Sequence, residues 1–414
     1  MNADATEPST SRLANSLSMQ VCAEEVSGEW PLVLSRYAYR SQILSSAEKV
    51  EGFGVGATVE DARCRAIMEG AERFSQFCSV PSHVRVATGA SLSILAISPK
   101  LLGTYADTQY AMPGFPFAPY LEDADLEWIA AEELLTRNCN YIPIEFVYPR
   151  IPLQRKRLVA ESSSGTAAHT SPVSARLAAI CELIERDSIL MFWHRRVPTA
   201  TLLVNADLSP DATDDLNTMR SMGFVVVVCS LEYDLGIPCV LSLALKGNRV
   251  AYGAGCDLSL RVALEHSVRE LGALLRWQAR SQGSRTGMTL KRVVSPADHH
   301  ALYDGGPFHS VLRDTLDDTI RAERSAQSPH APPTSEAGAL EELSERLRAR
   351  GLRIYICDLT PPSIEACGVS VVRAFVPGLI PMYFGYDRIR LGCRRLWSRD
   401  APGRLCNLLP HFMT

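Results

Sequence analysis

Three stretches of this chain carry apolar residues at helical spacing and read as long helices. The first starts at Thr58, with Asp61 three residues on in capping-box spacing; the others cover residues 173–193 and about 260–280. Apolar residues flank the charges of the first two on more than one side, through Ala66, Ile67 and Met68 in one and through residues 177–181 and 189–193 in the other. Those charges are therefore expected inside the protein. An amphipathic pattern predicts a helix over 214–222, and the run Phe224-Val225-Val226-Val227-Val228-Cys229-Ser230 a buried strand. Further strands are expected at 238–245, 352–359 and 369–376, further helices at 130–137 and 340–350, and an extended segment at 141–148. Residues 1–28 are rich in Ser, Thr and Glu and read as frayed or disordered, and the polar, proline-containing stretch 322–337 as an exposed loop. Strands alternate with helices throughout, which makes the class α+β (mixed α/β).

Within the helices one pattern repeats. Glu69-Gly70-Ala71-Glu72-Arg73 and Glu182-Leu183-Ile184-Glu185-Arg186 are near copies, each preceded seven residues earlier by an Ala-Arg pair (Ala62-Arg63, Ala175-Arg176), and a degenerate third copy runs from Ala263 to Glu270. Residues three apart share a helix face, so each Glu-x-x-Glu pair aims two carboxylates at one point. Like charges held that close ask for a cation, and a hard divalent metal that carries phosphates answers best. Glu-x-x-Glu-Arg is also an ordinary pattern for a solvated helix face; the apolar flanks argue against that reading here. If three such helices build one site, residues 29–414 form a single unit. The glycines ahead of the helices, as in Gly52-Phe53-Gly54-Val55-Gly56, suit backbone approach to a phosphate beside a helix N-terminus. Their spacing is not that of the dinucleotide fingerprint, and no Walker sequence occurs.

Composition narrows the class further. A net charge of −4 offers no basic face for nucleic acid or anionic membrane, and no run of about eighteen apolar residues occurs. The polar N-terminus is unlike a signal peptide, so a cytoplasmic location is expected. Twelve scattered cysteines without a Cys-x-x-Cys pair read as reduced, mostly buried thiols.

The motifs together resemble the YcaO family. Residues 56–75, containing Glu69, Glu72 and Arg73, look like its first ATP-binding motif. Ser163-Ser164-Gly165-Thr166-Ala167-Ala168 followed by Glu182 through Asp187 is similar to the second, and Cys256-Asp257 through Val268-Arg269-Glu270 to the third. Asp298-His299 with Tyr303 matches a short family signature, and residues 371–396 are close to the C-terminal block. The resemblance implies repeated sheet-helix units around one ATP/Mg²⁺ site. It implies an enzyme that makes thiazoline or oxazoline from Cys, Ser or Thr of a ribosomal precursor peptide by phosphorylating the amide oxygen. By the same resemblance Glu69, Glu72, Glu182, Glu185 and Glu270 hold metal, Arg65, Arg186 and Arg269 contact phosphates, and Ser163 contacts the nucleotide. Arg73 either joins them or ties helices together. A leader-binding, ThiF-like partner protein, a flavin dehydrogenase acting later, and a homo-oligomer within a complex are further expectations from the family. Thioamide or amidine formation, or a non-catalytic scaffold, are its alternatives.

The chain departs from the family pattern at Ser174, Thr170 and Ala273, where glutamate, asparagine and glutamine are common. Azoline-forming members end in a proline-rich tail that reaches the active site, whereas here only Pro410 stands in the last eight residues. His411 is the candidate base of that tail, against the plainer reading of a surface histidine near a terminus. His194 and His299 read as packing residues.

Overall fold

The glycine run ahead of the first glutamate helix is itself a strand, and its glycines face the helix that follows. In the computed structural model, residues 9–24, 37–44, 50–79, 81, 83–204, 208–280, 288–325, 333–400, 402–405 and 407–414 are described. Met19–Ala23 (β1), Tyr37–Ile43 (β2) and Val50–Gly56 (β3) form a three-stranded antiparallel sheet. The first glutamate helix, Val59–Phe77, crosses it, started by the Thr58 side chain accepting from the Asp61 N–H at 3.1 Å. A Cβ on Gly52 would lie 2.1 Å from the Ala66 carbonyl oxygen, and one on Gly54 the same distance from that of Ala62. Helix and strand therefore touch backbone to backbone.

Arg85–Thr88 (β4), Asp125–Glu133 (β5), Cys139–Pro143 (β6) and Thr166–His169 (β7) begin a second sheet. The second glutamate helix, Pro172–Arg195, follows it with Ser171 as N-cap and Pro172 in its first turn. Thr199–Leu203 (β8), Val225–Ser230 (β9), Cys239–Lys246 (β10), Arg249–Cys256 (β11) and Ile320–Ser325 (β12) make a third sheet, ordered β11-β10-β9-β8-β12. The third glutamate helix, Leu260–Arg280, lies across β10 and β11. Tyr355–Asp358 (β13) and Ser370–Phe375 (β14) return to the second sheet, whose order is β4-β5-β13-β14-β7 with β6 beside β5.

The third unit repeats the first. A Cβ on Gly253 or Gly255 would lie 2.1 Å from the carbonyl oxygens of Ser267 and Ala263. Gly52, Gly54, Ala62, Ala66 and Glu69 match Gly253, Gly255, Ala263, Ser267 and Glu270, each pair separated by the same interval in sequence. Glycine here serves close strand-helix packing, which corrects the expectation that it makes room for a phosphate. Gly54→Ala should accordingly destabilise the protein by about 1–3 kcal/mol, read as a lowered denaturation midpoint with unchanged slope, because the new methyl overlaps a main-chain oxygen.

Helices at Pro210–Ser221 and Glu336–Ala349 and strands β9, β10, β13 and β14 match the periodicity within a few residues. Other expectations are corrected. Residues 130–137 are not helical: β5 runs to Glu133, buried on one face through Leu126 and Trp128 and on the other through Ile129, Ala131 and Glu133, with three strands bonded to its edges. The segment 141–148 is extended only to Pro143, before a helical turn at Ile144–Val147. Part of the N-terminal stretch is ordered, because Leu13 and Leu17 bury themselves in the core under a helix at Ser9–Ser16. Residues 1–8 and 25–28 lie outside the described residues. In the expected loop 322–337, β12 occupies the first four residues and a helix capped by Ser335 the last two, while 326–332 lie outside the described residues.

The second glutamate helix is the centre of the molecule. Ala175, Ala179, Ile180, Ile184, Ile189, Phe192 and Trp193 are all fully buried in the main core, between the second and third sheets.

Candidate active site

Each glutamate helix brings its carboxylates to one cleft of about 1160 Å³. Residues 51–55 of β3, 166–169 of β7 and 252–254 of β11 form its walls, and Glu69, Glu72, Glu182, Glu185 and Glu270 all line it. Two of them are anchored to main-chain N–H groups, one in the middle of β3 and one just ahead of β7. Glu69 accepts the Phe53 N–H at 2.5 Å, and Glu182 accepts the Gly165 N–H at 2.9 Å, at a glycine whose φ of +80° suits no other residue. Arg73 donates to the Glu51 carbonyl at 2.8 Å and pairs with Glu69 at 2.5 Å, tying the helix to β3. Arg186 bridges Glu182 and Glu185 at 3.5 and 3.4 Å.

The carboxylates strain against one another. Side chains of Glu69 and Glu182 keep only 30% and 28% of their surface, and Glu185 14%, all of it toward the cleft. Loss of water pushes the Glu69 carboxyl up, against the pull of Arg73, and pushes Glu72 well up with the charges of Glu182 and Glu69 adding to it. Desolvation raises Glu185 to about 7, opposed by Arg186 and assisted by Glu182 and Glu270. Such a cluster stores unfavourable charge that a divalent cation relieves.

Cations share the cleft with these carboxylates on the first and third glutamate helices. Arg65 and Arg269 face it without an ion pair to any carboxylate among the described residues, and His266 stands between them on the same wall. Burial, and then the neighbouring Arg65, lowers Arg269 to about 10; burial and both guanidiniums hold His266 down at about 3. Two guanidiniums that close no ion pair, with only the longer-range pull of Glu270, Glu265 and Asp61 on Arg269, suit an anion with several oxygens. His266 was not foreseen from the sequence, although it occupies in the third unit the place that Arg65 holds in the first.

Ser163 and His411 are not brought to the cleft wall. The Ser163 carbonyl accepts from the Thr166 N–H, and the flanking Ser162 and Ser164 line a small separate cavity of about 50 Å³. His411 is neither a surface residue nor a cleft base: it is fully buried, its Nε2 donating to the Tyr383 carbonyl at 2.6 Å, and burial among other cations holds its basicity well down. The tail around it is nonetheless docked. Trp193 Nε1 donates to the Leu409 carbonyl at 2.9 Å, His194 Nδ1 to that of Asn407 at 2.7 Å, Tyr303 to that of Pro410, and His299 Nδ1 to that of His411 at 2.8 Å. This grip on main-chain oxygens sets Met413 and Thr414 in the cleft wall without a proline-rich sequence.

Among the described residues no three carboxylate, thiol or imidazole groups converge closely enough to grip an ion by themselves. The donor set nevertheless suits Mg²⁺, which keeps much of its shell as water and phosphate oxygen and needs only one or two direct carboxylates. Mg²⁺ affinity should therefore rise between about pH 6 and 8 as Glu185 ionises, with proton uptake by the buffer, measured by calorimetry in two buffers of different ionisation heat.

Carboxylates for a divalent ion facing guanidiniums for a polyphosphate define the class of Mg²⁺-nucleotide enzymes. The particular family is shown by its sequence model: residues 53–380 match YcaO cyclodehydratase, ATP- and Mg²⁺-binding, and the chain belongs to that family. That family's description names cyclodehydration and the binding of ATP and Mg²⁺. An uncharacterized protein in the tfuA 3′ region of Rhizobium leguminosarum bv. trifolii is 25% identical over 65% of this chain and 64% of its own length. A heterocyclase solved in complex with substrate and cofactor superposes with TM-score 0.74 at 19% identity, over 97% of this chain and 54% of that one. YcaO from Methanopyrus kandleri, bound with AMPPCP and Mg²⁺, superposes with TM-score 0.64 at 17% identity, over 89% of this chain and 88% of that one. The chain thus spans about half the length of that heterocyclase and just under two thirds of the Rhizobium relative.

Proposed function

We propose that the protein is an ATP-dependent cyclodehydratase that converts Cys, Ser or Thr of a ribosomal peptide to thiazoline or oxazoline. One observation carries this reading: five carboxylates from three helices share a cleft with two guanidiniums that close no ion pair among the described residues. A side-chain thiol or hydroxyl attacks the preceding carbonyl carbon and gives up its proton. The resulting oxygen takes the γ-phosphoryl group from ATP, and ADP leaves. The C–O bond then breaks with loss of phosphate, the amide nitrogen loses its proton, and the C=N bond of the ring forms. Bound Mg²⁺ would neutralise phosphate charge during transfer, held by Glu69, Glu72, Glu182, Glu185 and Glu270 directly or through water. Arg65, Arg186 and Arg269 orient the phosphate oxygens, and Arg186 keeps Glu182 and Glu185 in place. No side chain at His411 serves as base, because its imidazole lies outside the cleft wall.

A leader-binding partner that delivers the peptide and a dehydrogenase that oxidises the product belong to this proposal. The test combines the purified protein, peptide, partner, Mg²⁺ and ATP. Phosphate release with loss of about 18 mass units per event, the mass of water, supports the reading. Gain of sulfur would assign thioamide formation instead, and intact binding without ATP use would assign a scaffold.

A further inference from the structure

The cleft has two chemically different ends along the third glutamate helix. Before Glu270 stand His266 and Arg269, with Arg65 beside them, and beyond them lies a side pocket of about 150 Å³ that the two arginines share with Asp61, Asp211, Asp214, Asp215 and Glu265. After Glu270 the helix presents Ala273, Leu274 and Trp277 to the cleft, with the largely buried Arg276 among them. Trp277 is 40% exposed and meets His300 edge-on at 5.8 Å, while Pro296, Ala297 and Met413 continue the same wall. A half-exposed indole beside exposed Pro296 and Ala297 is an apolar shelf inside a charged cleft.

We propose that this shelf binds an apolar side chain of the peptide substrate about three residues from the one that reacts. The inference rests on the function proposed above, since it needs the reacting amide at the carboxylates. Polyphosphate is drawn toward Arg65 and Arg269, on the opposite side of Glu270 from Trp277, so the nucleotide takes that end and the peptide the other. Trp277 lies seven residues beyond Glu270, about 10 Å along the helix. An extended chain covers that distance in about three residues. A peptide whose backbone passes the carboxylates thus leaves the cleft over the indole, where an aromatic or aliphatic side chain displaces water and an aspartate meets an apolar face.

The test uses the full chain loaded with Mg²⁺ and a non-hydrolysable ATP analogue. Fluorescent peptides of Gly and Asn with one Cys carry Phe or Asp three residues before or after that Cys, and binding is read by anisotropy. In one of the two placements the Phe peptide should bind about tenfold more tightly than its Asp counterpart. Trp277→Ala should erase the difference, Trp277→Phe should keep most of it, and neither should change nucleotide affinity. No Phe preference in either placement, or a preference that survives Trp277→Ala, overturns the proposal. Weakened nucleotide binding in Trp277→Ala overturns it too, by giving the shelf to the base. Failure of the unsubstituted protein to bind the Mg²⁺-nucleotide would instead sink the proposed function, and the peptide comparison without nucleotide still judges the shelf.

Discussion

Glu182→Gln is expected to lower ATP turnover by at least about 10²–10³-fold while leaving the folded protein as stable as before or slightly more so. The substituted amide oxygen still accepts the Gly165 N–H, so the strand end stays anchored. Arg186 keeps Glu185 as partner. What disappears is one negative charge from a cluster in which Glu182 pushes up the protonation of both Glu72 and Glu185. Repulsion in the metal-free protein falls, and the attraction for Mg²⁺ falls with it. Thermal melting with and without Mg²⁺ separates the two effects: the upward shift given by the ion should shrink in the variant, while the ion-free midpoint holds or rises. A glutamate on a solvated face would leave turnover unchanged and stability within about 0.5 kcal/mol.

Phe412→Ala should cost about 3–5 kcal/mol, the largest stability loss expected from a single side chain in the tail. The ring is fully buried and meets Tyr252, Trp193, Phe192 and Tyr303 edge-on, with centroids 5.2, 5.5, 6.4 and 6.5 Å away. Truncation leaves a cavity bounded by rigid rings that cannot close over it. Because Met413 and Thr414 follow directly, turnover should fall as well, and a denaturant midpoint measured beside a phosphate-release assay checks both.

Acid should strain the same region. Burial lowers His194 and His299 to about 4 and His411 further, so between about pH 6.5 and 4 the unfolded chain takes protons that the folded one refuses. Stability from these neutral histidines is thus lost as pH falls through that window. Groups facing them are Tyr383, Tyr303, Asp298 and Arg186; the carbonyls of Asn407, His411 and Tyr383 raise His194, His299 and His411, and Asp298 raises His299, but burial outweighs them all. The cleft works in the opposite sense: Glu185, raised to about 7, binds its proton more tightly when folded, so its contribution is present at low pH and lost as pH rises through 7. The acid loss should therefore be steeper in Glu185→Gln, measured by melting at pH 4.5, 5.5 and 6.5.

The glutamate helices were legible in the sequence because two signals coincided there: a repeated spacing and charges embedded among apolar residues. Those signals located the five carboxylates that line the cleft, while the three arginines came from the family resemblance. The role of the glycines was misread, since a glycine that admits a helix backbone and one that admits a phosphate look alike until the strand and helix are seen together. Residues 130–137 misled through alanine and leucine, whose helical preference gives way when neighbouring strands claim the backbone. The tail was opaque for another reason. It is held by its carbonyls, which every residue possesses, so its sequence carries no trace of the grip; the trace lies in Trp193, His194, His299 and Tyr303, far away along the chain.

Each of the three glutamate helices is borne by a different sheet. A nascent chain that has completed two of those layers holds only a fraction of the acidic groups and cannot yet sequester magnesium triphosphate. The full set of cleft carboxylates is therefore complete only when all three layers have docked.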